Sequence, residues 1–340
     1  MQTNAAPMLA VGQHIGVLAK KTLDNGLHLL NLLTNKELTL LKGKEKLMQS
    51  NYSGFNGAPV FDKTTGTMVV GGENGLLYTM EPNADFDYVV GTLKIKPSVQ
   101  KYAWLAGKQK AKNTNIDGSV AMYGSYAYFG DAAGLVQCVD VNTLTPVWAV
   151  DTGDNVDATI ALDMESDSAV SLYTANTLLN QGRSGVCTIR KLDALSGKQL
   201  WAFTVPDLTY TTEAEVGCYA SPVVGQGGLS GLVYFTATNG TKGAALFALD
   251  KASGAVKWTL PLTSPTLSSP VAVYAASGDG FIVQAESNGK LHLINGLTGA
   301  EVTSLQLSGS VEASPAVYRN VLVIGTTGSD PSYIYGIKLE

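Results

Sequence analysis

Three groups of residues carry side chains whose types and spacing suit chemistry or recognition. The run Asp151-Thr152-Gly153-Asp154-Asn155-Val156-Asp157 places three carboxylates within seven residues. Oxygen ligands are what Ca²⁺ takes, so Asp151, Asp154 and Asp157 form a candidate cation site, although their spacing is not that of an EF-hand loop. The segment 92–116 holds Lys94, Lys96, Lys101, Lys108, Lys110 and Lys112 with no acid, together with Tyr102 and Trp104. Lys101, Tyr102, Trp104 and Lys108 are thus a candidate contact for an anionic or sugar-like partner. The third group is Arg183, in a long turn over 176–185, with Tyr210 and Glu213 in the connector 207–217.

No catalytic residue is assigned. The sequence has no G-x-S-x-G elbow, H-E-x-x-H pair, C-x-x-C pair or phosphate-binding loop. Gly225-Gln226-Gly227-Gly228 is not followed by a helical pattern and reads as a hairpin turn. His14 has no partner nearby in sequence, and His28 and His292 fall at the same place in a repeat, where Tyr78, Phe247 and Tyr335 also fall. A packing role fits that substitution pattern.

The elements that must position these groups repeat along the chain. Leu246 to Asp250 alternates like a half-buried strand, Asp250 to Gly254 closes a turn, and Val256 to Trp258 opens the next strand. Trp258 lies eight residues after Asp250, and the pairs Asp140/Trp148 and Asp193/Trp201, the latter through Gly197, keep that offset. The aspartate position recurs at 31, 81, 140, 193, 250, 295 and 338, a period near 50 residues of the kind seen in propellers and other arrays. A marker precedes each frame: Ser221-Pro222-Val223, Ser269-Pro270-Val271 and Ser314-Pro315-Ala316, with looser copies at Ala6-Pro7-Met8, Ala58-Pro59-Val60, Gly118-Ser119-Val120 and Ala158-Thr159-Ile160. Marker strand, middle strand, frame strand and Trp strand make four strands per unit, the content of a β-propeller blade.

The pattern Ala248-x-Asp250-x-x-x-Gly254-x-x-x-Trp258, with its Ser-Pro-Val lead-in, resembles the docking motif of the pyrroloquinoline-quinone-type (PQQ-like) propeller repeat. The resemblance covers nearly the whole chain, and it implies a bacterial, exported protein whose tryptophans pack between adjacent blades. It assigns Asp140, Trp148, Asp193, Gly197, Trp201, Asp250, Gly254 and Trp258 to structural docking. The expected fold is all-β: a single seven-bladed propeller over 1–340 with four-stranded antiparallel blades near 5–50, 57–91, 118–151, 158–206, 219–262, 268–308 and 313–340, the last incomplete. The Lys-rich segment 92–116 is expected as an insertion, with Val99, Tyr102, Ala103 and Ala106 on one side of a short helix. Connectors between blades and turns between second and third strands should open on one face, which would gather the three groups above.

Composition agrees with a large β-protein. Charged residues are 15%, and net charge is −5, which gives no general pull toward nucleic acid or anionic lipid. No apolar run reaches the ~18 residues of a membrane span. Residues 1–6 lack the basic start and apolar run of an export signal. Since proteins resembling this repeat are usually exported and the last unit lacks a Trp strand, either native sequence is expected upstream or the last blade has three strands. The three cysteines are expected as free, buried thiols.

The function expected is a non-catalytic, extracytoplasmic or cell-surface scaffold, monomeric, binding a protein or cell-surface ligand. No cofactor is expected; the repeat's name does not imply PQQ, and Ca²⁺ stands only as the candidate at Asp151–Asp157. A quinone- or metal-dependent oxidoreductase, or a fragment of one, and a carbohydrate-binding module are the alternatives.

Overall fold

The turn after each frame aspartate is built by that residue's own carboxylate. In the computed structural model, Asp250 Oδ1 accepts from the backbone N–H of Ala252 and Ser253 and from the Ser253 hydroxyl, at 3.1, 2.9 and 2.9 Å. Asp193 holds Ser196 in the same way, and Asn295 holds Leu297 and Thr298. The chain then needs a left-handed residue to turn back, and Gly197, Gly254 and Gly299 supply it at φ +72°, +73° and +74°.

The structure describes residues 8–12, 26–31, 34, 36–62, 64–104, 113–166, 169–328 and 331–339. Almost all regular structure among them is antiparallel strand, and the chain divides into two compact units, 1–151 and 152–340.

In residues 1–151 the first sheet has three strands, β1 (Met8–Gly12), β2 (Gly26–Asn31) and β3 (Lys36–Lys42). The second comprises β4 (Val60–Phe61), β5 (Met68–Gly71) and β6 (Leu76–Glu81); a separate hairpin follows, β7 (Ala84–Asp87) with β8 (Thr92–Ile95), and then β9 (Ser98–Ala103) returns to pair with β6. The third is β10 (Ala121–Tyr123), β11 (Tyr126–Gly130), β12 (Leu135–Asp140) and β13 (Thr145–Asp151).

In residues 152–340 the first sheet is β14 (Ala161–Ser166), β15 (Ala169–Ala175), β16 (Thr188–Asp193) and β17 (Gln199–Thr204). The next has β18 (Val216–Gly217) and β19 (Val223–Val224) both on β20 (Leu232–Asn239), then β21 (Ala244–Asp250) and β22 (Val256–Leu262). β23 (Val271–Tyr274), β24 (Gly280–Ala285), β25 (Lys290–Asn295) and β26 (Glu301–Gln306) form a four-stranded sheet. β27 (Ala316–Tyr318), β28 (Val321–Gly325) and β29 (Ile334–Lys338) form a three-stranded one.

Two repeated details were not readable in the sequence. The register between frame strand and Trp strand slips at one equivalent step in five sheets: Leu29/Leu30, Cys138/Val139, Lys191/Leu192, Ala248/Leu249 and Leu293/Ile294. A bulge there adds twist and re-aims the following side chain, here the docking residue. The marker serine links one sheet to the next. Ser221 Oγ accepts from Thr159 N, Ser269 Oγ from Ser221 N, and Ser314 Oγ from Ser269 N, at 3.1, 2.9 and 2.9 Å. Ser119 accepts from Ala58 N at 2.8 Å in residues 1–151, so the degenerate markers align on Ser119 and Thr159, their middle residues.

The expected helix over 99–106 is not formed in its described part. Residues 98–103 are β9, the fourth strand of the second sheet, and the inserted piece is the β7–β8 hairpin rather than 92–116. The misreading has a physical cause. β9 lies between two packed layers, with Val99 and Ala103 against Leu27, Leu29 and Phe55, and Tyr102 against Val69 and Phe129. Apolar residues on both parities of a strand packed on two sides imitate helical spacing, although Ser98, Gln100 and Lys101 stay exposed. Lys108, the remaining candidate of the Lys-rich segment, lies outside the described residues.

Candidate functional site

Within residues 152–340, the turns between second and third strands meet the connectors between sheets. The long turn 176–185 is held from below by one carboxylate. Asp154, 1% exposed, accepts from Asn180 N (2.8 Å) and Asn155 N (2.7 Å) through Oδ1 and from Gln181 N (3.0 Å) through Oδ2. Both oxygens are committed to backbone donors, so Asp154 is a loop clamp. Asp157 accepts from Asn155 Nδ2 at 3.5 Å, and burial raises its carboxyl above the usual range. Asp151 ends β13. Among the described residues, no group of three or more His, Cys, Asp or Glu side chains is arranged to hold a metal ion.

Asn176 organises the root of the same turn. Its Nδ2 donates to the carbonyls of Thr177 and Val186, both at 2.8 Å, while its Oδ1 accepts from Thr188 N (3.0 Å) and Arg190 Nη1 (2.9 Å). Arg190 Nη2 reaches on to the Thr152 carbonyl at 3.0 Å. Leu178 N donates to Val216 O at 2.8 Å, which ties turn to connector. On the other side of the connector, Asn239 spans it: Oδ1 accepts from Thr209 N and Nδ2 donates to Asp207 O, at 2.9 and 3.0 Å.

These bonds leave a pinned surface. Arg183 sits exposed in a 3-10 turn over Gly182–Ser184, flanked by exposed Leu179 and Val186. Glu213 is exposed, while Tyr210 packs half-buried against the core that contains Phe235 and Phe247. Beside them is a cleft of about 160 Å³ lined by Glu215, Thr238, Thr241, Thr266, Ser287 and Glu312. Its hydroxyls and two carboxylates are set in a wall that also includes Ala214, Pro265 and Leu267 and is mostly apolar.

A polar cluster that sequence reasoning missed, buried at Glu286 and His292 and open at Glu301, belongs to the β23–β26 sheet. His292, 4% exposed, has Nε2 2.7 Å from Glu286 Oε1 and Nδ1 2.5 Å from Glu301 Oε2. The His292 contact lowers the Glu301 carboxyl. Glu286 Oε2 accepts from Ser264 N (2.5 Å) and the Thr263 hydroxyl (3.0 Å), so the triad anchors the connector as Asn176 and Arg190 anchor theirs. The signal available was the repeat itself: His292 and Arg190 both stand three residues before a frame Asn or Asp.

The described Lys-rich candidates belong to the other compact unit. In residues 1–151, Tyr102 is buried and its hydroxyl donates to Gln137 Oε1 at 3.1 Å; Trp104 is half-buried on the same core. Lys101 pairs with Glu45 and lies 5.9 Å from the Tyr78 ring centroid. Tyr102 is therefore a core residue, not a surface contact, for the reason given for β9.

Two of the tryptophans, Trp201 and Trp258, meet the following sheet. Trp201 Nε1 donates to Lys251 O and Trp258 Nε1 to Gly296 O, both at 2.9 Å, each reaching the frame turn of the following sheet. A Cβ on Gly254 would lie 2.8 Å from Trp201 Cδ2, and one on Gly299 2.6 Å from Trp258 Cδ2, so the rings lie on bare glycine. Tyr128, Tyr173 and Tyr234 back Trp148, Trp201 and Trp258 with centroids 6.0, 5.9 and 5.8 Å apart. Asp140 Oδ1 accepts from Asn142 N at 2.9 Å.

Comparison with known proteins gives a consistent picture. A family profile described as outer membrane protein assembly factor BamB matches residues 187–275 and 242–334. The outer membrane protein assembly factor BamB of Yersinia pestis is 26% identical over 188 residues, 53% of this chain and 42% of that protein, so the match spans less than half the relative's length. Among solved structures, Sqt1 of Saccharomyces cerevisiae has a TM-score of 0.66 at 13% identity, covering 98% of this chain and 79% of its own. A europium-containing methanol dehydrogenase has a TM-score of 0.53 at 13% identity, covering 76% and 51%. At that identity both speak to the fold alone: an all-β propeller.

Proposed function

Because the chain belongs to the PQQ-like β-propeller repeat family, we propose that it is a non-catalytic, extracytoplasmic scaffold that binds a protein through the connector end of residues 152–340. In this reading the sheets are blades of one seven-bladed ring and the chain acts as a monomer. The observation that carries it is the clamped turn. Asp154 and Asn176 spend buried polar groups on fixing 176–187, yet the segment they fix presents Arg183, Leu179 and Val186 to solvent. Fixing an exposed loop lowers the ordering cost of binding and suits recognition. The relative's description as an assembly factor supports a protein as the ligand.

Site-specific photo-crosslinking tests this. Probes at Leu179, Arg183, Val186 and Glu213 should each join one common protein in the exporting cell. Probes at Leu195 and Leu297, exposed in third-to-fourth-strand turns, should not. Equal yields at both ends would remove the proposed face. Adding PQQ with Ca²⁺ separates the oxidoreductase reading, since stoichiometric binding with dye reduction would replace the scaffold reading altogether.

A further inference from the structure

We propose that Cys187 and Cys218 are a disulfide site, joined when the chain folds in a compartment served by thiol–disulfide oxidoreductases. Cys187 immediately precedes β16 and Cys218 immediately follows β18. Both are buried, at 1% and 0% exposure, and their Sγ atoms stand 3.6 Å apart. A disulfide places the sulfurs about 2.05 Å apart, so closure asks for a movement of about 1.5 Å, the scale of a side-chain rotation at one cysteine.

Hydrogen bonds hold the backbone on both sides. Cys218 N donates to Asn176 O at 3.4 Å, Val205 N to Cys187 O at 2.9 Å, and Thr177 and Gly217 form an isolated bridge between the two segments. Oxidation also costs little in hydrogen bonding. The reduced Cys187 thiol donates to Asn176 O at 2.9 Å, and that carbonyl keeps the Cys218 N–H after the thiol proton has gone. The cross-link would tie the turn 176–187 directly to the connector.

The reaction balances as a thiol–disulfide exchange. Two S–H bonds break and one S–S bond forms. Two electrons and two protons pass to the disulfide of the oxidoreductase, which leaves as a dithiol, through a mixed disulfide on one of the two sulfurs. Burial of both sulfurs places that exchange during folding or a local opening, not on the closed fold. Cys138 belongs to residues 1–151, where it neighbours Tyr128, and is not part of the pair.

The test exports the whole chain to a bacterial periplasm, quenches in acid, alkylates in denaturant without reductant and digests with trypsin. The expected product is the peptide Ser184–Arg190 linked to Gln199–Lys242, with alkylation on Cys138 alone. Alkylated Cys187 and Cys218, or linkage of either to Cys138, would overturn the proposal. Independently, a phosphine reductant should lower the melting temperature of the exported parent and leave that of C187S/C218S unchanged. Identical reductant responses would count against it equally. Neither result depends on whether the connector end binds a partner.

Discussion

Residues 152–340 and residues 1–151 both join neighbouring sheets through buried polar side chains, such as Thr236 on Gln284 at 2.8 Å in the first, but the first add an apolar lock. In the first, an apolar ring is laid on a glycine turn and satisfied by one carbonyl, as with Trp201 on Gly254 and Trp258 on Gly299. In the second, buried polar side chains span the layers. Asn74 Nδ2 donates to Gly43 O and to the Tyr78 hydroxyl, each at 2.5 Å, and Tyr102 donates to Gln137, whose Nε2 donates to Asp131 Oδ2 at 3.1 Å. Both solutions keep the same four-strand plan. They should differ in what breaks them: loss of volume in one, a change of protonation in the other.

The largest effect should come from the apolar lock. Trp201 is 9% exposed and fills the space over Gly254. Trp201→Ala removes that volume and one of two donors to the Lys251 carbonyl, which keeps Lys191 Nζ at 3.0 Å, for an expected loss of about 3–5 kcal/mol in denaturant unfolding. Trp201→Phe keeps most of the area and should recover more than half. A loss under about 1 kcal/mol for the alanine variant would mean that the sheets are held mainly by their serine links and not by the ring.

Next comes protonation. Burial pushes the Asp131 carboxyl up to about 6, against partial relief from the N–H groups of Leu135 and Ala133. An unfolded aspartate titrates near ~3.9. The folded state therefore binds the proton more tightly, so stability contributed by this group rises as pH falls from 7 to about 4, by up to about 3 kcal/mol. Asp131→Asn keeps an oxygen for Ala133 N and Leu135 N, which both donate to Oδ1. It should flatten that slope, while losing the bond from Gln137 Nε2 to Oδ2, since an amide nitrogen there cannot accept. An unchanged slope in pH-dependent unfolding would show that the group is not desolvated.

A third test targets the glycine beneath the ring. Gly299 combines φ +74° with a Cβ position 2.6 Å from Trp258 Cδ2. Gly299→Ala should cost about 1–3 kcal/mol, through left-handed strain and displacement of the ring. In Trp258→Ala the displacement part disappears. The glycine substitution should then cost less, and a double-mutant cycle measures the difference.

The sequence carried these two regions unequally. Asp250, Gly254 and Trp258 could be read because each does one local thing: a carboxylate closes a turn, a glycine turns left-handed, an indole fills a gap. The same logic located Asp193, Gly197 and Trp201. It failed where a residue's role is set by a partner distant in sequence. Asp154 looked like a metal ligand because its spacing to Asp151 and Asp157 is visible, whereas its bonds to Asn180 and Gln181, 26 and 27 residues away, are not. Tyr102 and Trp104 looked like a surface because lysines surround them, yet β9 sits between two layers, which a period count cannot distinguish from a helix. The Glu286–His292–Glu301 cluster was hidden because other repeats fill the same slot with Arg190, Phe247 or Tyr335. The markers were seen, but not that Ser221, Ser269 and Ser314 each receive an N–H from the preceding sheet.

The smallest effect should be that of Lys101, and it decides whether the basic strand β9 recognises anything. Its ammonium pairs with Glu45, the leading cause of that carboxyl's lowered pKa, and faces the Tyr78 ring. A partly exposed pair of this kind contributes about 0.2–1 kcal/mol. Because Glu45 is held below its ordinary value, the contribution is present above pH ~4.3 and fades as pH falls through the lowered value. Lys101→Met keeps the stem that covers Tyr78 and removes the charge. Unfolding at pH 7 should then shift by less than 1 kcal/mol, with the shift vanishing in acid, and crosslinking from Arg183 should be untouched. If Lys101→Met instead abolished that crosslinking at unchanged stability, β9 would belong to the binding surface, and the polar joints of residues 1–151 would serve recognition as well as assembly.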